Sequence, residues 1–245
     1  MFLVGAIAHG SGAVLGQRQV PSKRGEGPAA RQLLSGLDVA GMVLTLDALH
    51  TTKTTARLIT QDLGAHYVLI LKGNQPLAHA AAQTLLTGPD TEWAHTTASH
   101  DDQGHGRTER RTIRTATCDD DLFPGAHQAF RLRRDAGGLD GAWTSEEIVH
   151  GITSLPADLA TPAHLKALRA RLLGRGKPAP LEIRDTLYQE DKSQLRTRSG
   201  PRIMASLRNL AISALRLAGR HDTTEATRWA SRKMHRPFTI LGLTA

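Results

Sequence analysis

The chain has 245 residues, and 31 Lys plus Arg against 23 Asp plus Glu give a formal charge of +8. With 40% hydrophobic and 22% charged residues, a disordered or fibrous chain is excluded. No apolar run approaches the ~20 residues of a membrane helix, and the single cysteine, Cys118, excludes an internal disulfide framework and fits a reducing cytoplasm.

Residues 2–8 are apolar, lack a basic flank and lead into His9-Gly10-Ser11-Gly12. They read as a strand rather than a signal peptide, with residues 13–20 as a second strand. A short helix follows over 28–34, ending near Gly36. Residues 42–46 form a nearly continuous apolar run, the pattern of a strand buried on both faces. It ends at Asp47. A polar helix is expected over 51–63, closed by Gly64 at the position after the last turn. Residues 67–71 read as a second buried strand, and Pro76 opens an Ala-rich helix to about Leu86. Strand, helix, strand and helix at this spacing make a βαβ crossover and an α/β sheet.

From about 88 to 150 the chain is polar and basic, with period-two stretches such as 111–117, and reads as a β-rich insertion. A strand over 148–155 ends it, and a helix over 162–173 follows. Residues 174–180 carry Gly and Pro at a density that no helix or central strand tolerates. The last clear element is a helix from Pro201, with Ile203, Leu207, Leu210, Ala211, Ala214 and Leu215 as its apolar stripe and Arg202, Arg208 and Arg216 off it. All 245 residues are taken as one partial domain, with 88–150 inserted within it.

Asp47 stands where α/β sheets place their sites, at the C-terminal end of a strand. It could equally cap the next helix. Lys72, Asn74 and Gln75 fall at the same end of the neighbouring strand, in a Lys-Gly-Asn-Gln-Pro turn. A Lys there can neutralise a phosphate that a glycine lets the backbone approach; an ordinary strand-to-helix turn would look the same. His95, His100 and His105 lack zinc spacing and read as chance clustering. The run from His105 to Arg111 puts basic residues on alternating sides of a strand, either as a surface tracking a nucleic-acid backbone or as a charged edge strand. Glu190, Asp191 and Arg196 form either a site or a loop ion-pair network. A pI near 10 favours a polyanionic partner.

These stretches together resemble the ISAs-type insertion-sequence transposases, of the acidic-triad (DDE) class. The resemblance rests on residues 44–51, 65–76, 105–111 and 152–156, on Glu190, Asp191, Ser193 and Arg196, and on 204–210, in order and in register over nearly the whole chain. It implies a ribonuclease H-like mixed sheet flanked by helices, with a β insertion before the last catalytic acid. It also implies magnesium held by three carboxylates, DNA strand transfer at transposon ends, and a possible homodimer. Asp47 matches the second acid and is the implied catalytic residue and metal ligand. Lys72, Asn74, Gln75, Arg107 and Arg196 are the implied contacts to double-stranded DNA.

Two departures accompany the match. The family's first acid lies on a central strand upstream of the segment matching residues 2–4, so that ligand and that strand are expected to be missing. The third acid belongs to a Trp-x-x-Glu-Asn-x-Leu-His helix, and residues 172–181 occupy its place without any acid. One permitted codon choice for these residues, read one base later, restores the family pattern, so a frameshift before Leu172 with a compensating one near Glu182 is expected. Glu182 is not expected to stand in: it lies six residues beyond Gly176, ~240° away around a helix that Pro178 and Pro180 would break. The expectation is a transposase copy defective in strand transfer. The alternatives are a non-enzymatic DNA-binding remnant and a structural relic.

Overall fold

The computed structural model describes residues 2–20, 22–88, 97–104, 107–139, 142–170, 187–188 and 199–243. The chain divides into two compact units, one of residues 1–37 and 174–245 and one of residues 38–173.

In the first unit, β1 (Phe2–Ile7) and β2 (Val14–Val20) pair antiparallel, with Phe2 opposite Val20. The expected hairpin is present. Helix α1 (Glu26–Leu34) packs on both strands through Ala29, Ala30 and Leu34. It starts two residues before the expected point.

The second unit carries the crossover. β3 (Val43–Leu46) leads through Asp47 and a 3-10 turn, Ala48–His50, into α2 (Lys53–Arg57), which runs on as a π-helical turn, Leu58–Asp62. Thr52 caps α2 by accepting from the Thr55 N–H at 3.1 Å. Gly64, at φ +59°, ends the segment in the left-handed conformation that its sequence position called for. β4 (His66–Leu71) is parallel to β3 and buried over five of its six residues. Helix α3 (Pro76–Leu85) follows, with Pro at its first position.

Then come β5 (Thr97–Gly104), β6 (Arg107–Thr117), β7 (Gln128–Gly138) and β8 (Trp143–Thr153), and helix α4 (Pro162–Ala170). The sheet order is β3-β4-β8-β7-β6-β5, mixed because only β3 and β4 run parallel. The β-rich segment is thus continuous with the crossover strands: β8 runs on from Trp143 to hydrogen-bond with β4.

Two helical layers flank this sheet. On one face Val68, Ile70, Ile113, Phe130, Leu132 and Val149 pack with Leu155, Ala160 and Leu165, the last from α4. Each fully buried large side chain contributes about 1.5–3 kcal/mol. Gly151 sits where β8 joins β4 and β7; a Cβ there would lie 2.5 Å from the Leu69 carbonyl and 2.2 Å from the Phe130 ring, so only glycine fits. On the opposite face α3 packs against β4, β7 and β8, burying Ala78 and Ala82.

The chain then returns to the first unit with α5 (Gly200–Leu217), α6 (Thr223–Ser231) and α7 (His235–Ile240). Asp222 caps α6 by accepting from the Glu225 N–H at 2.9 Å. Trp229 lies between the guanidinium groups of Arg220 and Arg236, 3.6 and 4.3 Å from its ring centre.

Two expectations are corrected. Among the described residues β3 lies at the edge of its sheet, and all four of its residues are only partly buried, so it is not a strand covered on both faces. The apolar stripe of α5 forms its buried side only in part: Leu215 is buried, but Ile203, Leu207 and Leu210 are 51%, 52% and 54% exposed. The buried side carries Ala205, Asn209, Ile212, Ser213 and Leu215. Hydrogen bonds set that choice. Asn209 donates to Gln17 at 2.6 Å, Ser213 accepts from the Val14 N–H at 2.9 Å, and Arg216 donates to the Gly12 carbonyl at 3.2 Å. Polar groups on β2 thus take the polar side of the helix. The helix expected over 162–173 is described to Ala170.

Candidate functional site

The corner at the C-terminal ends of β3 and β4 is built from hydrogen bonds. Asp47 follows β3 in extended conformation, is exposed, and accepts from the Leu49 N–H through Oδ1 at 3.0 Å. Its carbonyl accepts from the Thr51 hydroxyl at 3.2 Å. The capping alternative for Asp47 is therefore realised, on a 3-10 turn rather than on α2.

The loop after β4 reaches across to the same turn. Asn74 Nδ2 donates to the carbonyls of Ala48 at 2.7 Å and Thr51 at 3.1 Å. Gln75 Nε2 donates to the Thr51 carbonyl at 3.1 Å. The loop itself is tightened by the Gln75 N–H on the Lys72 carbonyl at 2.9 Å. Asn74 and Gln75 thus reach the turn that follows Asp47. The two amides face backbone, while Lys72 is exposed.

Divalent-metal phosphoryl transfer gathers several carboxylates, because hard cations prefer charged oxygen ligands. Among the described residues, no group of three His, Cys, Asp or Glu side chains could hold a metal ion. Asp47 also spends one oxygen on Leu49. The described residues do not by themselves fit a two-metal centre. Glu182, Glu190, Asp191, Ser193 and Arg196 lie outside them, as do residues 172–181, His95 and His105.

The basic run lands on β6, an interior strand between β5 and β7, so the edge-strand alternative fails. Arg107 opens β6, opposite Gly104 on one side and Gly138 on the other. Alternation divides the rest. Glu109 and Arg111 share the α4 side of the sheet with Ile113. There Glu109 accepts from Arg111 at 3.0 Å and pairs with Arg134, which also approaches Glu147 at 3.8 Å. The hydrogen bond from Arg134 holds the Glu109 carboxyl below its usual range, helped by Arg111. That face is balanced in charge. Arg110, Thr112 and Arg114 point to the other face.

One polar clasp was not foreseen. Tyr67 of β4 donates its hydroxyl to the Pro124 carbonyl at 2.7 Å, and its N–H donates to the Ser154 hydroxyl at 2.8 Å. Thr153 donates to the Tyr67 carbonyl at 2.6 Å. Burial pushes the Tyr67 phenol far above its usual range. The stretches 65–76 and 152–156, which carry much of the transposase resemblance, thus meet as a structural joint. The signal was available: a Tyr, a Ser and a Thr set in apolar strands must find partners.

No family model matches the chain. It is similar to a curated Escherichia coli O157:H7 protein named "Putative transposase YncI", 27% identical over 226 residues, covering 87% of this chain and 56% of that protein. The protein of the same name in Escherichia coli strain K12 is 33% identical over 110 residues, 44% of each chain. A second K12 protein, "Putative protein YbfL", is 26% identical over 82% of this chain and 54% of its own. The chain spans about half the length of the curated relatives it matches. Among solved structures, a piggyBac transposase synaptic complex with hairpin DNA aligns over 96% of this chain and 43% of its own, at 11% identity and a TM-score of 0.39. The resemblance to transposases read from the sequence is thus upheld by named relatives. No helix among the described residues is long and apolar enough to cross a membrane.

Proposed function

We propose that this chain is a large part of an insertion-sequence transposase of the acidic-triad class, on a ribonuclease H-like sheet, acting on DNA at transposon ends. Asp47 carries the reading. A carboxylate at the C-terminal end of a parallel strand, next to a turn that Asn74 and Gln75 of the neighbouring strand's loop hold, lies in a chain similar over 87% of its length to a protein named "Putative transposase YncI".

In this reading Asp47 is the catalytic metal ligand, for magnesium in the intact family centre. Lys72, Arg107 and Arg196 contact double-stranded DNA. Asn74 and Gln75 serve mainly by holding the 48–51 backbone on which the carboxylate rests. Residues 172–181 supply no acid at the third position, so this copy binds magnesium weakly and is defective in strand transfer. Two copies bridging two ends would form the working pair in an intact relative.

The observation favouring a second reading, a non-enzymatic DNA-binding remnant, is the arginine-lined face of β6 and β7. Binding to duplexes carrying the element's own terminal repeats tests the transposase reading. Affinity at least about tenfold above that for scrambled duplexes supports it. Equal affinity for both favours the remnant, and absence of binding at low salt contradicts both.

A further inference from the structure

Helix α5 carries apolar residues on two opposite sides. On one side Ala205, Asn209, Ile212 and Ser213 are buried, and the hydrogen bonds at Asn209 and Ser213 hold that side on β2. The other side reads Ile203, Leu207, Leu210, Ala214 and Leu217. The steps are four, three, four and three residues, a heptad spacing kept over the length of the helix. Ile203, Leu207 and Leu210 are more than half exposed, and Leu217 is 70% exposed.

Single exposed leucines are ordinary on a protein surface. A heptad-spaced row is a narrower shape, because its knobs form a line that fits the holes of one other helix. The contrast with the buried side is informative. There the helix is held by polar bonds as much as by apolar contact, whereas the exposed side keeps the large aliphatic residues.

Charge decides which helix fits. At ~100° per residue, α5 places only apolar residues, Ser and Gly within ~80° of the midline of this seam. Arg202, Arg208 and Arg216 fall ~100° or more away from it. An acidic partner would be drawn to cations along the rim, and α5 puts none there. A second copy of this chain, with its formal charge of +8, would be repelled by a basic rim and meets a neutral one. The seam is therefore complementary to itself, as a two-fold contact between identical patches requires.

The helix is also formed in advance. Two heptads of free helix are marginal in water because nucleation is costly. Docking on β2 has already met that cost, so association orders little new backbone.

We propose that the α5 seam is a self-association surface that packs against the same seam of a second copy of this chain. Leu207 and Leu210 lie at its middle and contribute most of the burial. Two heptads make a small interface, so dissociation at roughly micromolar concentration is expected. The pairing stands on α5 itself; that such a pair bridges two transposon ends rests on the transposase reading above.

Sedimentation equilibrium of the full chain, from about 1 to 100 µM in about 0.3 M salt, tests the pairing. The unmutated chain should pass from monomer to dimer across that range. Leu207→Glu/Leu210→Glu and Leu207→Lys/Leu210→Lys change positions open to water in one copy, so the fold should persist in circular dichroism. Each should weaken dimerisation about hundredfold or more, since like charges would be buried in the seam. An equimolar mixture of the two should associate at least about tenfold more tightly than either alone, because opposite charges then face each other. An unmutated chain that stays monomeric, variants that dimerise like the parent, or a mixture no tighter than its components overturns the proposal.

Hydroxyl-radical footprinting of the unmutated chain needs no variant. Labelling of Leu207 and Leu210 should fall as concentration rises through the dimerisation range, while Leu77, exposed on α3, stays constant. Labelling that is equally high at both ends of the range overturns the proposal and leaves the seam to a different protein. Labelling that is equally low overturns it and assigns the seam to another segment of this chain. The terminal-repeat preference described above is read without any oligomeric signal, so the two readings fail separately.

Discussion

The Asp47 corner and the arginine face lie in the same unit and on the same sheet, yet they are built on opposite principles. The corner is a set of short hydrogen bonds from neutral amides to backbone carbonyls, fixing one carboxylate at the end of β3. The arginine face is a row of charges fixed mainly by strand register. A catalytic corner of this kind is worth nothing until other carboxylates join it, because a lone acid holds a divalent cation weakly. An electrostatic face works on its own and without metal.

The largest effect that separates the two regions is salt. If three or four phosphates meet the arginine face, raising salt from 50 to 200 mM should cost about hundredfold in DNA affinity, read by anisotropy in EDTA. A loss under about threefold would make the face incidental.

Acidity probes the buried end of the same face. Burial, with His79 and Arg131, lowers the His150 imidazole to about 4. The folded protein therefore keeps His150 neutral while the unfolded chain takes up a proton near pH 6.5. Its stabilising contribution is whole above pH 6.5 and is lost as pH falls toward 4. Unfolding by urea should show about 1–2 kcal/mol less stability at pH 5 than at pH 7. His150→Leu should reduce that difference.

The corner responds to different changes. Asn74→Ala removes two hydrogen bonds to the 48–51 turn and should cost about 1–2 kcal/mol, with faster amide exchange at Leu49 and His50. Gln75→Ala removes one and should cost about 0.5–1 kcal/mol. If either variant weakens DNA binding more than it weakens the fold, its amide touches DNA directly. The smallest effect expected is on DNA affinity from Asp47→Asn, within about twofold, since an exposed charge in water acts weakly at a distance.

Local periodicity made much of the fold legible. The crossover from β3 through α2 to β4 followed from two apolar runs, and Gly64 and Pro76 marked helix ends where the structure has them. Sheet order was not legible. The apolar run at 42–46 resembles an interior strand, yet it lies at an edge, since nothing in a run of apolar residues says which neighbours it will have. The stripe on α5 misled for a related reason: its polar residues had partners on β2, almost 200 residues away, and those hydrogen bonds outweighed the apolar count.

In the site, the approach of Asn74 and Gln75 to the turn after Asp47 was legible because parallel strands bring their C-terminal ends together. The direction of the two amides was not, because the spacing of residues carries no rotamer. The arginine face was half legible. Period-two runs at 110–114 and 131–133 assign those residues to one side of their own strands, but only the register shows that the two runs share a face.

The most direct test of the central claim is nicking of the element's own terminal-repeat duplex by the purified chain, with magnesium and with EDTA. The account predicts bound but uncut DNA in both conditions. Magnesium-dependent nicking that Asp47→Asn abolishes would contradict it, for it would mean that other residues of this chain complete the carboxylate set around Asp47.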